Sequence, residues 1–254
     1  MKKIVLSASM AGLISVAAHA QTPNITWGAP TTITHSGTSD VSIVGSVVGT
    51  WAPGDDWGGT SIADNYPVNG VTFNAYGSGP LNSGNGFTSP GLNDRYGSFA
   101  NPNTTDPNYN YLLQTAEYSY GSTFSLSWSG MTPGDAYQLE FWVNDGRNNI
   151  TAERSETITG GANTSAALAY GTGPNGTGPG QFILGTFVAD NTGAETLTVN
   201  GFGGADIGAS AQINLLQLRD ITPVPEPSTF ALLGAGLCVM LAGFRRKSGN
   251  SANR

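Results

Sequence analysis

Two histidines and one cysteine bound what this chain of 254 residues can catalyse. His19 lies near the amino terminus and Cys238 in a late apolar run, so His35 is the only imidazole between them. A hydrolytic Ser-His-Asp site would have to be built on His35, because the nucleophile needs a base beside it. Its setting, Thr34-His35-Ser36-Gly37, reads as a polar turn with the ring exposed. Zinc needs clustered His or Cys, and no such cluster occurs. Lysine is absent between Lys3 and Lys247, which removes the amine for Schiff-base chemistry. Gly58-Gly59 and Gly203-Gly204 open no helix, so neither reads as a phosphate cradle.

Carboxylates and aromatics remain. A pair of acids is the requirement of glycoside hydrolysis. Asp55 and Asp56 are adjacent and would point apart on a strand, while Glu140 and Asp145 flank Trp142 at no defined separation. Calcium wants several oxygens from flexible loops. Asp55 with Asp56, Asp145 with Asn148, Asp190-Asn191 and Asp206 offer them, without EF-hand spacing and with ordinary turn formation as the competing reading. Sugars pack a C–H face on an aromatic ring while their hydroxyls meet Asp, Asn or Arg. Trp51 and Trp57 straddle Asp55-Asp56, with Tyr66 nearby, and Trp142 shares an outward, polar face with Glu140 and Gln138. Arg147 and Arg219 are scarce cations that suit ion pairs with neighbouring acids or, less simply, a ligand. Core packing is the alternative for the tryptophans.

The elements that must position these groups are strands. Short alternating or β-branched stretches recur between Gly, Pro, Asn and Asp clusters, the pattern of an all-β sandwich or barrel. Phe124, Leu126 and Trp128 alternate with serines. After the Ser129–Gly134 turn, Tyr137, Leu139, Phe141 and Val143 alternate with Gln138, Glu140, Trp142 and Asn144. A one-residue slip would turn the polar set inward, so this register is well specified. Further strands are expected at 24–27, 41–48, 68–76 (interrupted at Asn69-Gly70), 149–158, 165–170, 182–189, 195–199 and 212–219, the last with a bulge at Leu215-Leu216. Phe182 to Ala189 is apolar on both faces and suits a strand deep between sheets. Residues 52–67, 77–110 and 171–180 read as loops, the second a binding edge or flap, and Tyr109–Tyr118 as one short helix.

Charge is segregated. Residues 21–222 hold sixteen acids and four arginines, a net −12 against −7 for the whole chain. Such a surface offers no basic patch to nucleic acid or anionic lipid. The basic residues gather at the two ends. Met1-Lys2-Lys3, an apolar stretch to Val16 and Ala18-His19-Ala20 form a secretory leader, residues 1–20, with the mature chain starting at Gln21. Its expected partners are the Sec translocon and a signal peptidase. Cys238 is the only cysteine, so the exported domain must hold together without disulfides.

The carboxyl end has three parts. Val224-Pro225-Glu226-Pro227-Ser228-Thr229 is a stiff spacer, since each proline lacks an N–H and biases its predecessor to extended backbone. Phe230–Phe244 is uncharged and would extend about 22 Å as a helix, short of the roughly 30 Å hydrocarbon core. Snorkelling of Arg245 and Arg246, or bilayer thinning, would close that gap. Arg245-Arg246-Lys247 orients the segment with residues 248–254 as a cytoplasmic tail. This order resembles the PEP-CTERM sorting signal of exported bacterial proteins over residues 223–247, with the family motif on Pro225, Glu226 and Pro227. The resemblance implies recognition by an exosortase, cleavage near that motif, and passage from an inner-membrane intermediate to the surface or extracellular matrix of a Gram-negative bacterium. Within residues 21–222, the Pro133-Gly134-Asp135-Ala136-Tyr137 turn, the strand end Val143-Asn144-Asp145-Gly146-Arg147 and the last strand Ile213–Arg219 resemble β-sandwich ectodomains common among PEP-CTERM proteins, which in turn are similar to jelly-roll, galactose-binding-like modules. These features lead to one expectation, a non-enzymatic surface or matrix protein that is structural or binds extracellular polysaccharide. A glycosidase or lyase, and a self-associating coat protein, are the alternatives.

Overall fold

The computed structural model describes residues 23–34, 37–53, 65–76, 88, 94–96, 104–145, 153–171, 179–203 and 210–223. The expectations for the leader (Ala18, Ala20, Gln21) and the sorting tail (Val224, Pro225, Glu226, Pro227, Ser228, Arg245, Arg246) lie outside these residues. So do those for His35, Asp55, Asp56, Trp57 and Arg147. In chain order the elements are β1 (Thr26–Trp27), β2 (Thr31–Thr32), α1 (Gly37–Asp40), β3 (Ser46–Pro53), β4 (Asn65–Val68), β5 (Val71–Tyr76), β6 (Asp94–Tyr96), α2 (Pro107–Leu113), β7 (Ala116–Tyr118) and β8 (Thr123–Ser129). They continue with β9 (Ala136–Val143), β10 (Arg154–Gly160), β11 (Asn163–Thr164), β12 (Leu168–Tyr170), β13 (Gln181–Val188), β14 (Ala194–Gly203), β15 (Gln212–Ile213) and β16 (Leu215–Asp220).

Two sheets form a β-sandwich. The larger has the order β1-β13-β9-β16-β3-β5-β4, with β2 also on β13. The smaller runs β11-β10-β14-β8, with β12 on β10. Alternation decides which side chains meet between them. Phe124, Leu126 and Trp128 of β8, Ile158 of β10, and Leu197 and Val199 of β14 face Leu139, Phe141, Ile183, Leu216 and Leu218 of the larger sheet in one buried cluster. The register expected for β8 and β9 therefore holds.

The other face of the larger sheet is also covered, which alternation does not reveal. Its terminal hairpin β4–β5 joins β3 only at Ala52 and Pro53, and with helix α2 it folds back over that face, burying Val68, Val71, Phe73, Tyr109, Leu112 and Leu113 against Trp142, Phe182 and Leu215. The hairpin turn is Asn69-Gly70 with φ of 48° and 74°, the left-handed pair that two-residue turns favour. What reads as one interrupted strand is thus two. The expected helix over 109–118 is shorter: it starts at Pro107 behind an Asp106 cap and ends at Leu113, and Ala116–Tyr118 pairs as β7. Asp106 Oδ1 accepts from the Asn108 and Tyr109 amides at 2.9 and 3.2 Å, which satisfies two otherwise orphaned donors.

The irregularity expected at Leu215-Leu216 falls one residue earlier. Asn214 separates β15 from β16, with its side chain donating to Leu113 O and Thr115 O at 3.1 and 2.8 Å. The register against β3 shifts between Leu218 and Arg219. The strand expected at 41–48 begins only at Ser46.

Candidate functional site

Trp142 and Trp51, expected as ligand-facing rings, are core. Trp142 is fully buried, edge-on to Phe73 at 5.8 Å and tilted on Phe182 at 6.2 Å. Its side chain lies on the expected face of β9, but the hairpin and α2 pack over it. Trp51 is buried between the sheets. Tyr66 stacks on Tyr111 at 4.6 Å.

Glu140, on the same parity as Trp142, is also buried. It accepts from the Ser42 amide at 2.9 Å and from Gln217 Nε2 at 3.1 Å. Burial pushes its carboxyl up to about 8, against the pull of the Ser42 amide and Arg219. Arg219 hydrogen-bonds Val44 O and Gly45 O, so it clamps a loop. Glu140 and Asp145 do not form a pair of carboxylates across a cleft, because each is enclosed and engaged separately.

Asp145 belongs to a polar cluster at one end of the sandwich. Strand β9 runs out into Asn144 and Asp145, β10 begins at Arg154, β12 ends at Tyr170, and β15 begins at Gln212. Asp145 pairs with Arg154, both fully enclosed. Arg154 Nη2 donates to Ser210 O at 2.8 Å, and its guanidinium lies 4.8 Å over the Tyr170 ring. The Tyr170 hydroxyl donates to the same Ser210 O at 2.8 Å. Glu156 Oε2 accepts from the Gln212 amide at 2.9 Å, and Gln212 Nε2 donates to Asn144 O at 2.7 Å. Glu156 Oε1, Gln212 Oε1 and Arg154 Nε make no hydrogen bond. Burial lifts the Glu156 carboxyl to about 8, opposed by the Gln212 amide and Arg154. Below that pH Glu156 is neutral, and the Asp145–Arg154 pair balances itself. Two acids around one arginine would otherwise leave a buried net charge.

Three connections leave this end: 146–152, 172–178 and 204–209. Two exposed aromatics share it and escaped sequence reasoning. Tyr120 is 70% exposed and packs edge-on to Tyr118 at 5.5 Å; Phe202 is 49% exposed. The Gly201 amide bonds Ser122 O at 2.7 Å and the Ser119 amide bonds Ala211 O at 2.9 Å, which ties both rings to the strand ends around the cluster. The signal for Phe202 was its outward parity on β14, opposite Val199 and Leu197.

Among the described residues no group of three His, Cys, Asp or Glu could hold a metal ion. Asp190, one of the acids offered for calcium, instead accepts from the Thr192 amide two residues on at 2.8 Å, as a turn former does.

No curated protein matches the chain. Six solved chains match it. One is the crystal structure of the CBM36-1 domain of a multidomain xylanase from the hindgut metagenome of Trinervitermes trinervoides. It is 20% identical over 40% of this chain and 75% of that one, with a TM-score of 0.25. A superposition that partial bears on neither fold nor site. The family comparison is specific: residues 223–247 match the model of the PEP-CTERM protein-sorting motif. The chain therefore carries a PEP-CTERM sorting motif, which implies an exported protein handled by an exosortase and directed to the surface of a Gram-negative cell.

Proposed function

We propose that this is a non-catalytic surface or matrix protein whose β-sandwich, residues 21–222, binds extracellular polysaccharide at the end formed by residues 144–145, 154–156, 170 and 210–212. The observation that carries the cellular part is the sorting-motif match at 223–247. In this reading the Sec translocon and signal peptidase release residues 1–20. The apolar run 230–244 holds an inner-membrane intermediate, and cleavage near Pro225–Pro227 frees the domain.

The binding part rests on chemistry at the loop end. Tyr120 and Phe202 are large aromatic side chains exposed at this end, and the connections there are rich in small and polar residues, Arg147, Asn148 and Asn149 in one and Thr172 to Gly178 in another. Rings in a polar surround suit a sugar's C–H face and hydroxyls together. The buried Asp145–Arg154 pair ties the strand ends together and takes no part in chemistry. Glu140 and Asp145 cannot serve as an exposed acid–base pair, which disfavours the glycosidase reading for those residues.

The test is binding of purified residues 21–222 to a panel of polysaccharides, first with calcium and then with chelator. Saturable binding that Tyr120→Ala and Phe202→Ala weaken, with no release of sugar ends, is expected. Release of sugar ends would make it an enzyme, and absence of binding across the panel would leave a structural coat. Calcium-dependent binding would return attention to Asp55 and Asp56.

A further inference from the structure

An apolar corner stands at the opposite end of the sandwich. Ile43, Val44, Val47 and Val48 are 62, 58, 47 and 46% exposed, four large side chains within six residues. They have no core to return to. The first half of β3 pairs with β16 on one edge only, Ser46 with Asp220 and Val47 with Arg219, while β5 meets β3 only at Ala52 and Pro53. Among the described residues no strand covers the other edge of 46–49.

The corner is rigidly built. Arg219 hydrogen-bonds Val44 O and, at 2.7 Å, Gly45 O. Gly45 has φ +70°, and a Cβ there would fall 2.0 Å from Asp220 O and 3.0 Å from Ile221 Cα. The backbone of this loop therefore lies against the last residues of β16, and only glycine permits that approach.

Those last residues are where the chain leaves for the sorting tail. Phe230, the first residue of the apolar run, is nine residues beyond Ile221. Fully extended, nine residues reach about 30 Å, so a bilayer holding that run is never farther than this from the corner. We propose that the Ile43–Val48 corner rests on the surface of a lipid bilayer while the apolar run is inserted. This rests on the reading of 230–244 as a membrane segment.

The lipid chemistry follows from charge. Asp135, Asp190 and Asp220 lie on the same rim, and residues 21–222 contain no lysine. Attraction to anionic headgroups is absent, so the contact is apolar and shallow, with zwitterionic lipid. Val188, 57% exposed at the end of β13, is paired with Ala136 on this rim and widens the apolar contact.

Full-length protein reconstituted in phosphatidylcholine vesicles tests this with one fluorophore per chain and brominated lipid as quencher. The dye is placed on native Cys238, on Val44→Cys in a Cys238→Ser background, or on Ser122→Cys in the same background. Strong quenching at 238, and quenching at position 44 several-fold above that at 122, is the expected result. Quenching at 238 with positions 44 and 122 alike overturns the docking and leaves the membrane segment standing. An unquenched dye at 238 overturns the membrane reading and the docking with it. Self-quenching at position 44 that grows with protein density, without quenching by lipid, makes the occupant a second copy and overturns the lipid proposal.

Discussion

Replacing Glu156 by glutamine should make the domain more stable in alkali while leaving it unchanged in acid. Glu156 is fully enclosed, and burial raises its carboxyl from 4.5 to about 8. An acid with a raised folded-state pKa holds its proton more tightly when native than when unfolded. Its contribution is complete below the unfolded value near 4.5 and is lost as pH rises to about 8. That interval, at about 1.4 kcal/mol per pH unit, sets a ceiling of about 5 kcal/mol on the loss. Glutamine has the shape of the protonated acid, cannot ionise, and keeps an oxygen for the Gln212 amide that Glu156 Oε2 accepts at 2.9 Å. Urea unfolding followed by tryptophan fluorescence gives the stability at each pH. Wild type and Glu156→Gln should agree near about pH 4, and the variant should lead by a few kcal/mol near about pH 9. A slope should remain in the variant, because Glu140 is raised to about 8 by burial as well. Parallel profiles for the two proteins would refute the idea that Glu156 folds as the neutral acid.

Other substitutions separate core from site. Trp142→Ala should cost about 3–5 kcal/mol in the same unfolding assay, because it opens a cavity between Phe73 and Phe182; a loss under about 1 kcal/mol would mean that the ring is not packed. Arg154→Met should destabilise by about 3–5 kcal/mol by leaving Asp145 enclosed without its partner, whereas the double variant Asp145→Leu/Arg154→Met should recover most of the loss in thermal unfolding. Asp106→Ala should remove about 1 kcal/mol through the α2 cap, measured by urea midpoint, with polysaccharide binding unchanged. Tyr120→Ala combined with Phe202→Ala should weaken polysaccharide binding in affinity electrophoresis with little change in melting temperature, since both rings are exposed.

The strands of the sandwich interior were legible because period-two alternation survives in the residues themselves. Phe124, Leu126 and Trp128 against serines, and Tyr137 to Val143 against polar neighbours, allow one inward face. Hairpin β4–β5 was half legible: Asn69-Gly70 announces a turn, but Pro67 and the short flanking runs disguise two strands as one. The proposed site was less so. Asp145 and Arg154 are nine residues apart with no shared motif, and the partners Gln212 and Ser210 come from much farther along the chain. No local pattern encodes that meeting.

By itself the sequence determined the sorting signal and the all-β class. The sorting motif is a linear signal, and strand parity is a local property. Tertiary structure decided which polar-parity faces see water. Glu140 and Trp142 share a face with Gln138, and along the strand they look solvent-facing. The packing of β4, β5 and α2 encloses Trp142, because apolar hairpin and helix surfaces must themselves find something to cover, while Glu140 is enclosed beside Ser42 and Gln217. The same long-range pairing leaves Ile43 to Val48 uncovered beside the point where the chain departs, a fact that depends on β16 lying next to β3 across more than 160 residues of sequence.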